Sequence, residues 1–129
     1  MIIASGSSAN RALYSTFMDS LELMKNIVAT YERHGWKMRR VLAGPETVSL
    51  ISQAGDLFRD AELRESDFEA LWFTRPSHAG REAWELRLLS EQPYALFEAF
   101  EADESEEDRE AARREMENRM RQHLNPAEA

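Results

Sequence analysis

The stretch ALWFTRPSHAGREAWELRLLS, Ala70 to Ser90, decides how this chain folds. Its two ends, rich in aromatic and apolar residues, read as β-strands, and the Pro-Ser-His-Ala-Gly between them is built of turn formers. A five-residue loop over Pro76–Gly80 gives a hairpin in which Arg75 faces Arg81, Phe73 faces Ala83 and Trp72 faces Trp84. The same register sets Leu71 against Glu85 and Glu69 against Arg87. Strand alternation then gathers Phe68, Ala70, Trp72, Trp84, Leu86 and Leu88 on one side. This side reads as core against the first helix, with the tryptophan pair contributing ~0.5–1.5 kcal/mol beyond burial. A stacking platform for a ligand is the alternative role for Trp72 and Trp84.

Downstream, YALFEAFE continues an antiparallel meander from the strand FEALWFTR, which opens at Phe68. A four-residue turn over Ser90–Pro93 sets Leu88 opposite Ala95, Leu86 opposite Phe97 and Trp84 opposite Ala99. The other side of the sheet then holds Leu71, Phe73, Ala83, Leu89, Tyr94, Leu96 and Phe100 among Glu69, Glu85, Arg87 and Glu98. That is too much apolar surface to leave in water. The last helix, Asp103–Leu124, is capped by Ser105 with Asp108 three residues on, and stops at Asn125-Pro126. Its apolar stripe is only Ala112, Met116, Met120 and Leu124. A homodimer, by sheet-face or helix contact, is therefore expected to bury part of the second side. The interface candidates are Leu71, Phe73, Tyr94, Leu96, Phe100, Met116 and Met120.

Upstream, Leu13, Phe17, Leu21, Met24, Val28 and Tyr31 recur at helical spacing from about Ala9 to Arg33, and Tyr14, Met18 and Ile27 widen the stripe. His34-Gly35 closes that helix, since glycine takes the left-handed conformation of a helix end at little cost. In WKMRRVLAGP, alternation puts Trp36, Met38, Arg40 and Leu42 on one face and Lys37, Arg39 and Val41 on the other, and bases on both faces suggest an edge strand. PETVSLISQAG reads as a short helix, with a strand as the alternative. Residues 56–67 read as an irregular connection with a turn of helix. The expected fold is α+β: an antiparallel sheet of about four strands, a long N-terminal helix on one face and a charged amphipathic C-terminal helix. A single domain over 9–124, with flexible ends at 1–8 and 125–129, completes it.

Composition fits that picture. The 129 residues suit one domain, and the 43% hydrophobic and 31% charged content is globular. With no cysteine there is no disulfide, thiol nucleophile or thiolate metal site. The opening residues lack a basic stretch followed by an apolar run, and no segment approaches the ~18 apolar residues that span a bilayer. A soluble, cytoplasmic protein without a membrane role is expected. The net charge of −8 is uneven: residues 65–129 hold seventeen acids and eight bases, whereas residues 1–64 are nearly balanced. Such a surface repels phosphate backbones, so nucleic acid is not an expected partner unless Lys37, Arg39 and Arg40 act alone. Basic protein partners fit better.

Chemistry is sparse. Arg75 opposite Arg81 is a like-charge pair that invites an anion. With His78 between them and Arg87 nearby, these residues are the candidates for holding a carboxylate, a phosphate, or the acidic segment 101–110; the alternative is that both arginines fan apart into water. His34, His78 and His123 do not lie at metal-ligand spacing, so neither metal nor cofactor is expected. No Gly-x-Ser-x-Gly elbow or phosphate loop occurs. Glu85 beside Glu98 would be a general-acid pair, but Arg87 neutralises it more simply. Glu101–Glu110 holds seven acids and one arginine, the composition of a solvated helix start, and Glu110–Arg114, Glu115–Arg119 and Glu117–Arg121 pair along the helix. The function expected is a non-enzymatic protein-interaction or self-associating module. The alternative is a small-molecule or anion-binding protein, or an enzyme, with its site near the 75–81 hairpin tip.

Overall fold

A computed structural model describes residues 3–53 and 58–126, with side chains from residue 18 onward. The elements run α1 (Ile3–Arg33), β1 (Lys37–Ala43), α2 (Pro45–Gln53), β2 (Glu62–Glu65), β3 (Ala70–Pro76), β4 (Glu82–Leu88), β5 (Ala95–Phe100) and α3 (Glu106–Leu124). The fold is α+β, with the long first helix and the charged last helix in place. Its sheet, however, has five strands in the order β2-β1-β3-β4-β5 and is mixed, not antiparallel. The added strand is β2, within the segment read as irregular: four residues suffice because β2 pairs parallel to β1, with Val41 beside Leu63, and α2 supplies the crossover. Helix α1 begins at Ile3, earlier than the expected Ala9. The expected flexible ends lie partly outside the described residues, as does Gly55, the anticipated end of the second helix.

β1 is therefore an inner strand, not an edge. Its bases are tolerated because a bulge between Met38 and Arg40 re-aims them. Trp36, Met38, Val41 and Ala43 face α1, while Arg40 and Leu42 turn to the opposite side, where Glu62 and Glu110 accept the Arg40 guanidinium. At the end of α1, Gly35 takes φ +85° and lets Trp36 N–H return to the Tyr31 carbonyl, which sends the chain straight into β1.

The hairpin is tighter than expected. Ser77 N–H bonds the Arg81 carbonyl, leaving a three-residue turn, His78–Gly80, in which Ala79 (φ +56°) and Gly80 (φ +75°) are both left-handed. Pro76 joins the strand, so Trp72 faces Leu86, Arg75 faces Ala83 and Leu71 faces Arg87. A shift of two keeps every side chain on its face. The turn into β5 is one residue longer than expected, and that shift does flip a strand. Leu86 now faces Leu96 and Trp84 faces Glu98, so Leu96 and Phe100 join the tryptophan side, while Ala95, Phe97 and Ala99 go to the other.

Two cores result. One packs Leu21, Met24, Ile27 and Val28 of α1 and Ile51 of α2 on Met38, Val41, Leu71 and Phe73. The other packs Met116 and Met120 of α3 on Leu42, Trp72, Trp84, Leu86 and Phe100. The tryptophans are core, but under α3 and not under the first helix. The surplus apolar side is covered by α1 of the same chain, which buries Leu71 and Phe73 completely.

Candidate functional site

Helix α3 has too narrow an apolar stripe to hold a sheet face alone. A polar stripe runs beside it at i, i+4 spacing: Arg109, Arg113, Glu117 and Arg121. Each docks on an aromatic. Arg113 lies 4.3 Å from the Trp84 ring centre and also over Phe100; Arg109 lies over Phe100, and Arg121 over Phe68. Glu117 accepts the Trp72 indole N–H at 2.9 Å. Arg113 is 1% exposed, pairs with Glu106 and Glu110, and keeps Nη1 without a hydrogen-bond acceptor among the described residues; the rings beneath it provide the attraction instead.

Glu110 is the hub of this cluster, accepting from Arg40 at 2.9 Å, Arg113 at 3.0 Å and Arg64 at 3.3 Å. Burial alone would raise its carboxyl, but the hydrogen bonds and charge of Arg40 and Arg113 win and hold it at about 2. A cleft of about 410 Å³ opens beside the cluster, lined by Arg39, Arg40, Arg109 and Arg113 and by Asp60, Glu62, Glu82 and Glu106. Four bases against four acids leave it without a net preference for an anion. The anticipated pairs of Glu110 with Arg114 and of Glu117 with Arg121 give way to these cross-fold contacts, and Arg121 instead bonds Asp67 at 2.8 Å, holding that carboxyl below its usual range.

The expected arginine constellation is dispersed. Arg75 stacks at 4.5 Å on Trp36 and donates to the His34 carbonyl at 2.8 Å. Arg81 pairs with Glu101 at 2.9 Å, the first residue of the acidic segment. Arg87 donates to the carbonyls of Leu88 and Ser90, at the other end of the hairpin. Arg75 and exposed His78 do share a groove of about 600 Å³ with His34 and Gly35. A second cleft, about 300 Å³, adjoins it, lined by Tyr31, His34, Trp36, Arg75 and Glu85. There burial, and then the hydrogen bond it donates to Glu85, push the Tyr31 hydroxyl well above the ordinary phenol range. Glu85 is thus engaged by Tyr31, and register places it opposite Phe97 rather than Glu98. Among the described residues no three His, Asp or Glu are grouped to hold a metal ion.

The remaining interface candidates divide. Phe100, Met116 and Met120 are buried between α3 and the sheet, whereas Tyr94 and Leu96 are half-buried, with Tyr94 stacked at 3.5 Å on His123. Sequence reasoning missed Phe97, which is 55% exposed, edge-on to Trp36, and central to the outer strand β5. The period-2 alternation carried this information, but the one-residue register error concealed it.

The fold and these surfaces define a mixed-sheet α+β domain with helices on both faces and an open strand on one side. Compared with protein-family models, with curated proteins and with solved structures, the chain matches none. No helix among the described residues is long and apolar enough to cross a membrane.

Proposed function

We propose that this chain is a non-enzymatic protein-interaction module that works by self-association, as a homodimer. The observation that carries the reading is the asymmetry of the two sheet edges. β2 is four residues long and charged at Glu62, Arg64 and Glu65, the features that blunt an edge. β5 is six residues long, with no lysine, arginine or proline within it, and its central side chain is the exposed Phe97. Among the described residues nothing pairs with its outer side. An edge of that kind is a template for another strand. A cytoplasmic setting belongs to the same proposal, since a chain without cysteine needs no oxidative folding. Sedimentation velocity from about 1 to 100 μM tests it: a concentration-dependent dimer is expected, and a monomer throughout overturns the reading.

A second reading, an anion site at the hairpin tip, is favoured by Arg75 alone. Its guanidinium is fixed by Trp36 and the His34 carbonyl, with no carboxylate partner among the described residues, and faces the groove that His34 and His78 share. Calorimetric titration with inorganic phosphate, before and after Arg75→Ala, decides it.

A further inference from the structure

We propose that β5 pairs antiparallel with β5 of a second copy about a two-fold axis at Phe97, joining the two sheets edge to edge. This rests on the self-association reading above and adds the partner surface and register.

Hydrogen-bond parity sets the register. Ser77 N–H to Arg81 O and Leu89 N–H to Glu69 O show that the odd residues of β4 bond to β3. Leu88 N–H to Tyr94 O shows that even residues of β4 bond to even residues of β5. The backbone groups of Ala95, Phe97 and Ala99 therefore point outward. They are symmetric about Phe97. Setting Phe97 against the partner's Phe97 sets Ala95 against the partner's Ala99 and Ala99 against the partner's Ala95. Every outward N–H and C=O of the strand is then used, in pairs that exchange two bonds each. Two phenyl rings meet on the α1 side with alanines around them, which leaves the rings room. On the α3 side Glu98 lies opposite the partner's Leu96.

The neighbouring registers fit less well. Sliding two residues one way asks Pro93 for an N–H that it lacks. Sliding two residues the other way sets Glu98 directly opposite the partner's Glu98, a like-charge pair. Pairing β5 with the partner's β2 is a head-to-tail contact that does not close into a dimer, and it offers only four residues bearing three charges. A second copy in the Phe97-centred register is thus the strand that this edge complements best.

The test uses the full chain, which has no cysteine of its own. Single variants Phe97→Cys and Ala95→Cys are oxidised in a glutathione buffer, and wild type and Phe97→Lys are sedimented in parallel. In the proposed register the two Cα atoms at 97 are about 5.5 Å apart, within disulfide reach, while those at 95 are roughly 14 Å apart. Intermolecular disulfide should form at least tenfold faster at 97 than at 95, and Phe97→Lys should weaken the dimer at least tenfold. A wild-type dimer whose Ala95→Cys variant crosslinks as fast as Phe97→Cys overturns this register and leaves self-association standing. So does a dimer unmoved by Phe97→Lys. A wild type that remains monomeric overturns both, and assembly beyond a dimer overturns the closed two-fold.

Discussion

Replacing Glu110 with glutamine isolates what the partly buried carboxylate at the centre of the ionic cluster contributes to stability. Glu110 is 23% exposed and holds three arginines from two strands and its own helix. Lowering a carboxyl from the ordinary 4.5 to about 2 amounts to about 3 kcal/mol of native-state stabilisation at neutral pH. The sign follows from proton binding: between about 2 and 4.5 the unfolded chain binds the proton and the native state does not, so stability from this group rises with pH across that window. It is fully present above 4.5, is down to roughly 1–1.5 kcal/mol at pH 3, and is nearly lost at pH 2. Glu110→Gln removes the charge at every pH. Urea unfolding of both proteins at pH 7, 5 and 3 should thus give a stability gap of about 3 kcal/mol that narrows with acid. Low protein concentration is needed near pH 4.9, where the chain carries no net charge. A gap under about 1 kcal/mol at pH 7, or one equally wide at pH 3, would refute the idea that the arginines stabilise the charged form.

Trp72→Phe should cost about 2–4 kcal/mol, because it replaces a fully buried indole with a smaller ring and leaves the Glu117 carboxylate without its indole donor; combining it with Glu117→Gln should recover part of that loss in urea unfolding. Ala79→Gly should raise stability by about 1 kcal/mol, since alanine at φ +56° is strained, whereas Gly35→Ala at φ +85° should lower it by a similar amount although open space surrounds the new methyl. Thermal melts of the two variants would therefore move in opposite directions. Arg81→Ala breaks an exposed pair with Glu101 and should change the unfolding free energy, read by urea titration, by less than about 0.5 kcal/mol.

What could be read from the sequence was what repeats. The apolar spacing of α1, the Ser105 cap, which accepts from Asp108 N–H at 3.1 Å, and the short α2 all carry local signatures. Trp72 and Trp84 share a side in any even register, so their burial survived a hairpin that closed two residues tighter than Pro76–Gly80 implied. Phe97 and Phe100 exchanged sides because the length of the loop before β5 fixes parity, and no residue type in SEQP announces that length. The bulge at Arg39 and the parallel strand β2 depend on partners far along the chain. Composition also misled: the bases of β1 read as an edge because Glu62 and Glu110, which receive Arg40, could not be placed beside it.

The same polar stripe that fastens α3 also holds β5 in place. Arg109 reaches the Glu101 carbonyl at 2.7 Å just beyond the end of β5, bonds Glu82 of β4 at 3.1 Å, and lies over Phe100. Arg81 draws Glu101 to the hairpin tip, and the Tyr94–His123 stack ties the start of the strand to the end of α3. The outer strand is thus held at both ends before anything binds along it. An edge already fixed in extended form gives up little conformational freedom on pairing, so in the proposed dimer its backbone bonds would contribute to association instead of offsetting an ordering penalty. The cluster around Glu110, which resembles a site by its charge density, acts as scaffold, and the strand it supports is β5, whose outward backbone groups are those of Ala95, Phe97 and Ala99.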